Sequence, residues 1–416
     1  MPKKLKILVS AYACAPNQGS EPGMGWNFVM GLARFHELHV IVEKRKWEKP
    51  INDFLENNPG LNDSVSFYFI DKKRNKLLRR IWPPSYYWFY KSWQKETYKL
   101  ACQLDKKENF DLIHQLNMVG YREPGYLWQI KKPFVWGPIG GLENSPWSFL
   151  PSLGAKGMMF YTGRNIINWL QRNFSRRPKQ AAKRKNVALI AATPQNQKLI
   201  DNLWGVKSTV ICEVGQEVSE HTEVALSKRQ SNDPLKIVWS GLHTHRKNLP
   251  LLIMAMAQLK VPVHLDVLGA GELTQTWKQF AKVKGVLNDC NWHGWVKRNQ
   301  AIDIMRKGHV FCITSISDLT STVTLEALSY GLPIICLDHC GFSHVVTDDC
   351  GIKIPVTNPT NASEAFAAAI EKLSTDDDLR YELAKGALRR SQDFSWEIKI
   401  NEVNKIYNNV LSNVYE

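Results

Sequence analysis

The feature that most constrains the fold of this chain is an alternation of short apolar runs with helical patterns, which occurs twice. In the first half, Lys6–Ala11, Leu38–Val42 and Val65–Ile70 are predicted strands separated by helical patterns. A polar, pattern-poor stretch at 216–235 follows, and the alternation restarts at Lys236–Ser240. Alternation of this kind indicates parallel sheets with helices on both faces. The sequence therefore predicts two doubly wound α/β domains.

Chain length supports the same division. The chain has 416 residues, which exceeds one ordinary core, so two domains of about 200 residues are expected. We place the first domain at 1–215, the linker at 216–235 and the second domain at 236–394. The last segment, 395–416, has an amphipathic pattern that predicts a closing helix with one apolar face.

The excess of positive over negative charge is confined to the first half of the chain. The formal net charge is +15, and residues 1–215 contain 33 Lys and Arg against 16 Asp and Glu. Residues 216–416 contain 21 against 23. A solvated surface can carry such an excess, but its segregation favours an anionic surface or substrate at the first domain.

Composition narrows the class of protein. The hydrophobic content of 44% is typical of a globular protein. A run of 18 apolar residues is missing from the sequence, which argues against a transmembrane helix. The start resembles a signal peptide superficially, but its apolar part is short and favours a first buried strand. The eight cysteines lack the spacing of a disulfide framework, which favours a reducing cytoplasm.

The stretch from Ser317 to Ile335 carries the clearest candidate chemistry. Asp318 follows an apolar run, His309–Thr314, and Glu326 lies one to two turns into the next predicted helix. A helix N-terminus attracts anions through its free N–H groups and its dipole. Two carboxylates beside an anion site suit a ligand with both hydroxyls and phosphates, such as a nucleotide-sugar.

Two glycine-containing loops accompany this motif. In the second domain, Gly241 ends a strand, and Arg246 and Lys247 precede the next helix, where a cationic pair can neutralise a diphosphate. The alternative is a solvated basic pair. In the first domain, Gly23 and Gly25 would let the backbone approach a ligand, although a plain tight turn is the alternative.

Several motifs, in this order, resemble the family 4 retaining glycosyltransferases of GT-B fold. They are Gly19–Trp26, Arg246–Lys247, Gly269–Gly271, Asp318 and Glu326–Pro333. The resemblance covers nearly the whole chain and is strongest in 236–357. It implies two Rossmann-like domains facing across a cleft, with the acceptor on the first domain and the nucleotide-sugar on the second. It also implies that 395–416 packs back on the first domain, and a role in cell-surface polysaccharide or glycolipid synthesis.

The resemblance implies a role for each matching residue of the second domain. Glu326 matches the acid that binds the ribose hydroxyls, and Asp318 matches the acid that contacts the donor sugar, where the family usually has Glu. Lys247 and Arg246 would meet the departing diphosphate, while Leu242 stands where the family often has Arg. The implied donor site also includes Leu319, Thr320, Ser321, Thr322, Gly241, Gly269 and Gly271.

Two elements of the first domain complete the implied site. Gly23 and Gly25 match the family's glycine loop on the acceptor side. His114 ends a predicted strand and is expected to face the cleft as a candidate catalytic residue, with Leu116 at the place of the family's second His. The alternative for His114 is a structural hydrogen-bonding role.

We expect neither a metal nor a cofactor. Arg246, Lys247 and a helix N-terminus can stabilise the leaving group without a metal. The acidic run Asp376–Asp378 resembles a helix N-terminus. Metal ligation by Cys336, His339, Cys340, His344 and Cys350 is disfavoured, because their spacing fits no standard zinc site.

Two segments of the first domain, 72–93 and 156–185, place cations beside aromatic residues. This pattern fits an anionic membrane surface, and the alternative is an aromatic core beneath a solvated cationic face. A nucleic-acid partner is not expected, because the sequence contains no recognised nucleic-acid module. A cytoplasmic protein, peripheral on the inner face of the membrane, is the resulting prediction.

The sequence thus predicts a metal-independent retaining transferase. It would move a hexosyl or amino-sugar residue from a nucleotide-sugar to a saccharide or lipid-linked acceptor. One alternative is an epimerase or phosphorylase of the same fold, for which release of the nucleotide would not require that acceptor. The other is a non-catalytic membrane- or polyanion-binding protein, which would bind anionic vesicles but no nucleoside diphosphate.

Overall fold

The structure is a computed structural model that describes residues 4–61, 63–82, 85–217 and 233–412. It divides into two compact units. The first unit comprises Met1–Leu142, Leu170–Gly215 and Trp396–Glu416, and the second comprises Glu143–Trp169 and Gln216–Ser395.

Each unit is built on a parallel sheet. The strands are β1 Lys6–Ala11, β2 Glu37–Glu43, β3 Val65–Ile70, β4 Leu112–Asn117, β5 Phe134–Ile139, β6 Val187–Ala191, β7 Thr209–Val210, β8 Leu235–Ser240, β9 Val263–Leu268, β10 Cys290–Gly294, β11 Val310–Ile313, β12 Ile334–Leu337 and β13 Gly351–Ile354. The sheet of the first unit has the order β3-β2-β1-β4-β5-β6-β7, and that of the second has β10-β9-β8-β11-β12-β13.

Helices follow most of the strands. They are α1 Ser20–Ala33, α2 Lys44–Glu56, α3 Lys76–Ile81, α4 Ser85–Glu108, α5 Gly154–Phe174, α6 Arg176–Ala182, α7 Pro194–Trp204, α8 Leu249–Met256, α9 Thr274–Val283, α10 Arg298–Arg306, α11 Thr322–Ser329, α12 Phe342–Val345, α13 Pro359–Thr375, α14 Asp377–Gln392 and α15 Trp396–Ser412. Within the described ranges, no helix is both long enough and apolar enough to cross a membrane.

The apolar runs form strands because both faces of each sheet are covered. In the first unit, Val9 of β1 packs in one apolar cluster with residues of α1 and α15. Its neighbour Leu8 packs in a second cluster with residues of α4, because successive side chains of a strand point to opposite faces. The predicted pair of doubly wound α/β domains is confirmed.

The division of the chain differs from the predicted boundaries in one respect. Residues 143–169, predicted within the first domain, belong to the second unit. Phe149, Leu150 and Tyr161 are buried in the same apolar core as Leu252, which accounts for this placement. Helix α15 lies in the first unit, where Ile400 and Tyr407 enter the core. Of the predicted linker, 218–232 lies outside the described residues.

Both sheets contain a topological switch point, where the strand order reverses. It lies between β1 and β4 in the first unit and between β8 and β11 in the second. Open α/β sheets bind ligands beyond the carboxyl ends of the strands at such points. The loops that follow these strands are therefore where a site is expected.

Candidate functional site

The candidate residues of the second unit gather at its switch point. Arg246 and Lys247 lie in the loop after β8, and Asp318 lies in the loop after β11. The Lys247 Nζ lies 2.6 Å from the Asp318 Oδ2, and an Arg246 guanidinium nitrogen lies 2.8 Å from the same oxygen. The structure thus brings together three of the predicted residues, with both cations on one carboxylate oxygen.

This cluster is shielded from water to different degrees. The exposed side-chain fraction is 9% for Lys247, 17% for Asp318 and 35% for Arg246. Burial opposes ionisation of Asp318, but the charges of Lys247 and Arg246 outweigh it and lower the pKa of the carboxyl below its usual value. The cluster at neutral pH therefore consists of one carboxylate and two cations.

Hydrogen bonds hold the two loops at a fixed separation. The buried Thr314 hydroxyl donates to the Lys247 carbonyl at 2.7 Å and accepts from the Trp239 indole N–H at 3.0 Å. The Ile316 N–H donates to the Arg246 carbonyl at 2.8 Å. Because these contacts involve the backbone of both cationic residues, the cations are positioned before any ligand binds.

Glu326 lies on α11 and already has a charged partner. An Arg298 guanidinium nitrogen lies 2.8 Å from its Oε1. Arg298, at the start of α10, keeps 70% of its side chain exposed, whereas Glu326 exposes 15%. A ribose hydroxyl that approached Glu326 would meet this arginine first.

The loop between Asp318 and α11 is not a row of free amides. The Leu319 N–H donates to the Asp318 Oδ1 at 3.1 Å, so a ligand would have to compete with this carboxylate for the amide, and the donor role of Leu319 stays a prediction. Thr320 is buried. Ser321 has φ of 68° and precedes Thr322, the first residue of α11. The N-terminal turn of α11 remains as the anion-attracting element.

The glycines of the second unit have a packing role. A Cβ on Gly269, whose φ is 105°, would lie 2.2 Å from the Gly241 carbonyl oxygen, and one on Gly271 would lie 2.6 Å from the His243 carbonyl oxygen. Both glycines therefore let the loops after β8 and β9 touch, and they act on the site by placing the Lys247 loop.

Gly23 and Gly25 are helical, which corrects the prediction that they form a loop. Helix α1 begins at Ser20, and a Cβ on Gly23 would lie 2.0 Å from the Gln18 carbonyl oxygen. A Cβ on Gly25 would lie 2.3 Å from the Ala13 carbonyl oxygen. The structure therefore assigns these glycines to close packing of the preceding loop on α1.

His114 is completely buried, which contradicts the prediction that it faces a ligand. Its Nδ1 lies 2.7 Å from the Tyr407 hydroxyl on α15, and its Nε2 lies 2.9 Å from the Gly137 carbonyl oxygen. Burial lowers the pKa of the imidazole to about 4. His114 is thus a neutral group that links β4 to α15 and β5.

Several residues around the site were missed by sequence reasoning. An Arg164 guanidinium nitrogen donates to the Ser317 hydroxyl at 2.7 Å, and the Asp318 N–H points to the Cys340 Sγ at 3.3 Å. Arg164 lies far away in sequence, in a segment assigned to the other domain, so no sequence signal was available. Arg298 is exposed at the start of α10, and no local pattern pointed to its pairing with Glu326.

The residues with metal-ligand character are mostly separate. Asp376 caps α14 by accepting the Leu379 N–H at 2.9 Å, as the helix N-terminus interpretation requires. In the described ranges, His339 and Cys340 lie with Glu143 so that their ligand atoms are within 4.8 Å of one another. The expectation of a metal-independent reaction stays a prediction.

A cavity of about 370 Å³ lies beside the cationic loop in the second unit. Its walls include His245, Leu251, Trp277 and Phe280. Lys247, Asp318 and Glu326 are not among its lining residues, so this cavity is distinct from the charged cluster.

The chain is similar to a glycosyltransferase family model and to curated glycosyltransferases. Residues 223–390 match the family model described as "Glycosyl transferases group 1". The chain is 27% identical over 375 residues to "Digalactosyldiacylglycerol synthase 1, chloroplastic" of Arabidopsis thaliana, a match that covers 87% of this chain and 41% of that protein. It is 23% identical over 202 residues to "Phosphatidyl-myo-inositol mannosyltransferase" of Mycolicibacterium smegmatis, covering 47% of this chain and 50% of that protein.

Among solved structures, a sucrose-phosphate synthase from Thermosynechococcus elongatus aligns with a TM-score of 0.66 at 15% identity, over 98% of this chain and 100% of that one. This likeness confirms the GT-B fold. The family match supports a glycosyltransferase, although the matches span at most half of these two curated relatives.

Proposed function

We propose that this chain is a retaining group 1 glycosyltransferase, and that its second unit binds a nucleotide-sugar. The observation that carries the proposal is the charged cluster at the switch point, where Lys247 and Arg246 share one oxygen of Asp318. A hexosyl or amino-sugar residue would pass from the nucleotide to a saccharide or lipid-linked acceptor.

The cluster suits the departure of a nucleoside diphosphate. Breaking the sugar–phosphate bond builds negative charge on the β-phosphate, and preorganised cations stabilise that charge more than they stabilise the substrate. Lys247 and Arg246 are already held by backbone hydrogen bonds, so little reorganisation is needed at the moment of transfer. The N-terminus of α11 adds the positive end of a helix dipole. We therefore infer a reaction that needs no metal.

Asp318 would have two tasks in turn. In the ligand-free state its carboxylate orients both cations. When the diphosphate arrives and takes up part of their charge, Asp318 becomes available to accept a hydroxyl of the donor sugar. Glu326 would bind the ribose hydroxyls after Arg298 moves aside.

The proposed acceptor is a saccharide or a lipid-linked saccharide, bound on the first unit. Both curated relatives described above have names that refer to lipids, a digalactosyl lipid that is synthesised in one case and a phosphatidylinositol in the other. This supports a role in cell-surface polysaccharide or glycolipid synthesis, on the cytoplasmic side of a membrane.

A peripheral membrane contact is part of this proposal. In the first unit, α3 and the start of α4 expose large apolar side chains, namely Leu77, Ile81, Trp82 and Trp88. Arg79 and Arg80 of α3 are also exposed. Exposed aromatics next to cations suit an anionic interface. The predicted second segment also exposes apolar side chains, among them Met159, Phe160 and Trp169. Two of its cations are engaged, since Arg177 lies 3.1 Å from Glu123 and Arg184 donates to the Lys132 carbonyl.

The donor assignment is tested by replacing Lys247 and Glu326 separately with Ala. A panel of nucleotide-sugars is first screened by thermal shift, because a ligand that binds the folded state raises the melting temperature. With the donor found, we expect Lys247→Ala to lower kcat/KM by roughly 10²–10³-fold, which is about 2.7–4 kcal/mol. The exposed Lys372→Ala on α13 is the matched control. Parent-like turnover in both site variants would refute the assignment.

Four further measurements test the alternatives and the remaining parts of the proposal. Nucleotide release that rises on addition of acceptor favours transfer, and release independent of it favours an epimerase or phosphorylase. The anomeric configuration of the product, determined by NMR, tests retention, and unchanged activity in EDTA tests metal independence. Sedimentation with phosphatidylglycerol vesicles should weaken in the Arg79→Gln, Arg80→Gln double variant.

A further inference from the structure

Lys72 occupies an unusual place in the first unit. It follows β3 by two residues, at the carboxyl edge of the sheet. Tyr12 follows β1, and Glu43 ends β2, so the ends of three adjacent strands meet here. Only 4% of the surface of Lys72 is exposed. A lysine this deeply buried at a ligand-binding edge requires an explanation, because lysine is almost never fully buried without a partner.

Aromatic rings, and not a carboxylate, surround the ammonium group. The Lys72 Nζ lies 3.5 Å from the centroid of the Tyr86 ring and 5.1 Å from that of Tyr12. In the part of the chain that the structure describes, it has no ion-pair partner. The nearby Glu43 is engaged by Arg74 at 2.7 Å and by the Lys46 N–H at 3.1 Å. The cation–π contacts therefore hold the Lys72 side chain without a carboxylate ion pair.

Burial and neighbouring cations destabilise the protonated form of Lys72, so the binding of an anion beside it would be favourable. Burial is the main cause that lowers the pKa of Lys72 to about 7, and the charges of Arg74, Arg79 and Lys46 add to it, while Glu43 opposes them. The guanidinium of Arg79 also lies over the Tyr86 ring, at 5.5 Å. An anion bound here would relieve repulsion among several cations at once.

Two hydroxyls supply directional contacts. The Tyr86 hydroxyl lies 3.4 Å from the Tyr12 hydroxyl and 3.5 Å from the Met118 Sδ. Because a tyrosine O–H rotates to suit its partner, either hydroxyl can donate to a ligand. Tyr86 is partly exposed, whereas Tyr12 and Lys72 are buried, which gives a ligand an approach from the Tyr86 side.

We propose that Lys72, Tyr12, Tyr86 and Arg79 form an anion site that binds a phosphate group of the acceptor. A phosphate can accept from the ammonium, the tyrosine hydroxyl and the guanidinium together, with charge-assisted hydrogen bonds. The assignment of the phosphate to an acceptor rests on the proposed function. The anion site itself rests only on the geometry of the first unit.

The test measures binding of inorganic phosphate to the full chain by calorimetry. The background is the Lys247→Ala variant, which removes a cation of the second unit that would also attract phosphate. In this background we expect Lys72→Met to weaken phosphate binding at least tenfold. The matched control is the neighbouring, exposed Lys73→Met, for which we expect less than a twofold change. Equal phosphate affinity in the two variants overturns the site.

Two conservative variants protect the test against a folding defect. Lys72→Arg keeps the charge and should bind phosphate within a few-fold of the parent. Tyr12→Phe keeps the ring under the ammonium but removes the hydroxyl, and should weaken binding about threefold to tenfold. Loss of phosphate binding in a folded Lys72→Arg variant contradicts the proposed contacts. Phosphate affinity equal to that of the parent in a folded Tyr12→Phe variant also contradicts them.

The phosphate could belong to a soluble sugar phosphate or to a lipid headgroup, and a competition experiment distinguishes these sources. Inorganic phosphate that displaces the chain from phosphatidylglycerol vesicles through Lys72 indicates a headgroup. Unchanged vesicle binding, with phosphate bound, indicates a soluble acceptor. Failure of phosphate binding with intact nucleotide binding overturns this inference alone, whereas intact turnover in Lys247→Ala overturns only the proposed function.

Discussion

Each of the two units contains a buried lysine at a strand-end edge, but the partners that hold these lysines differ. Each places a lysine at the carboxyl edge of a parallel sheet and removes most of it from water, with 9% of the Lys247 side chain and 4% of Lys72 left exposed. Lys247 is paired with Asp318 at 2.6 Å, whereas Lys72 rests on the ring of Tyr86 at 3.5 Å. The first arrangement neutralises the cation until a ligand competes for it, and the second leaves the lysine without a carboxylate partner.

This difference gives the charge asymmetry of the chain a local meaning. The surplus of Lys and Arg in residues 1–215 is not all on the surface, because Lys72 is inside. A carboxylate-held cation should lose stability when its partner is removed. A ring-held cation should tolerate its own removal. The predictions below test this contrast, from the largest expected effect to the smallest.

The largest effect is expected for Asp318→Asn, which leaves Lys247 and Arg246 with no carboxylate. Removing one partner of a buried pair typically costs about 3–5 kcal/mol, so we expect a loss of that order in the free energy of unfolding. Urea denaturation of the full chain measures it, with the exposed Asp303→Asn of α10 as control. Added pyrophosphate should restore part of the loss. A variant as stable as the control would show that the cluster carries no such strain.

Both units contain a buried neutral histidine, and acid should therefore lower the free energy of unfolding. Burial lowers the pKa of His114 in the first unit to about 4, and burial followed by the charge of Lys278 lowers that of His243 in the second to about 4. Because the unfolded chain binds these protons at about pH 6.5, stability is complete above that pH and falls toward pH 4.

For His114 alone, the loss between about pH 6.5 and 4 is up to about 3 kcal/mol. Urea titrations at a series of pH values measure this slope. His114→Gln should flatten it, leaving the part due to His243, whereas the partly exposed His264→Gln should not. An unchanged slope in His114→Gln would mean that His114 is protonated in the folded protein.

Replacing each lysine with Met should change stability in opposite directions. Lys72→Met exchanges an unpaired buried charge for an apolar side chain of similar shape, so the free energy of unfolding should stay the same or rise by about 1–2 kcal/mol. Lys247→Met removes one of two cations from Asp318 and should lower it. Thermal melts in phosphate-free buffer compare the two. A clear loss of stability in Lys72→Met would refute the ring-held description.

The smallest effect is expected for Arg298→Ala. The arginine is 70% exposed, and surface pairs contribute about 0–1 kcal/mol, so stability should hardly change. Removing this competitor of the ribose should raise the affinity for the nucleoside diphosphate by up to a few-fold. Calorimetry measures it, and weaker binding in the variant would show that Arg298 contacts the nucleotide itself.

The sequence predicts part of the second-unit cluster because parallel strands end at one edge. Lys247 and Asp318 each follow an apolar run, so both are expected at that edge. Their meeting also depends on the adjacency of β8 and β11, which the alternation does not fix, and only the family resemblance implied a shared role. His114 shows the limit of this logic, because the strand predicted to end at His114 continues to Asn117, and all six residues of β4 are buried. Gly23 and Gly25 show another, because the run Ser20–Gly25 contains Pro22 and two glycines but still forms the first turns of α1.

Lys72 and Arg164 could not be located from the sequence. Lys72 stands in a run of basic residues, and nothing local shows that it turns inward while its neighbours remain exposed. Its partner Tyr12 comes from a distant part of the chain, and so does Ser317, the partner of Arg164, whereas Tyr86 lies in the same predicted segment, 72–93. Such long-range contacts depend on packing, which a single sequence does not encode in its local pattern.

Residues 143–169 belong to the second unit, which affects where the chain can be truncated to isolate that unit. A fragment that starts at residue 216 would retain every proposed donor-site residue and the whole region 223–390 that matches the family model. It would still lack Phe149, Leu150, Leu153 and Tyr161, and the holes they leave would be lined with apolar surface. Recombinant truncation at the obvious junction should therefore yield aggregates, and a workable excised module needs 143–169 spliced back onto it.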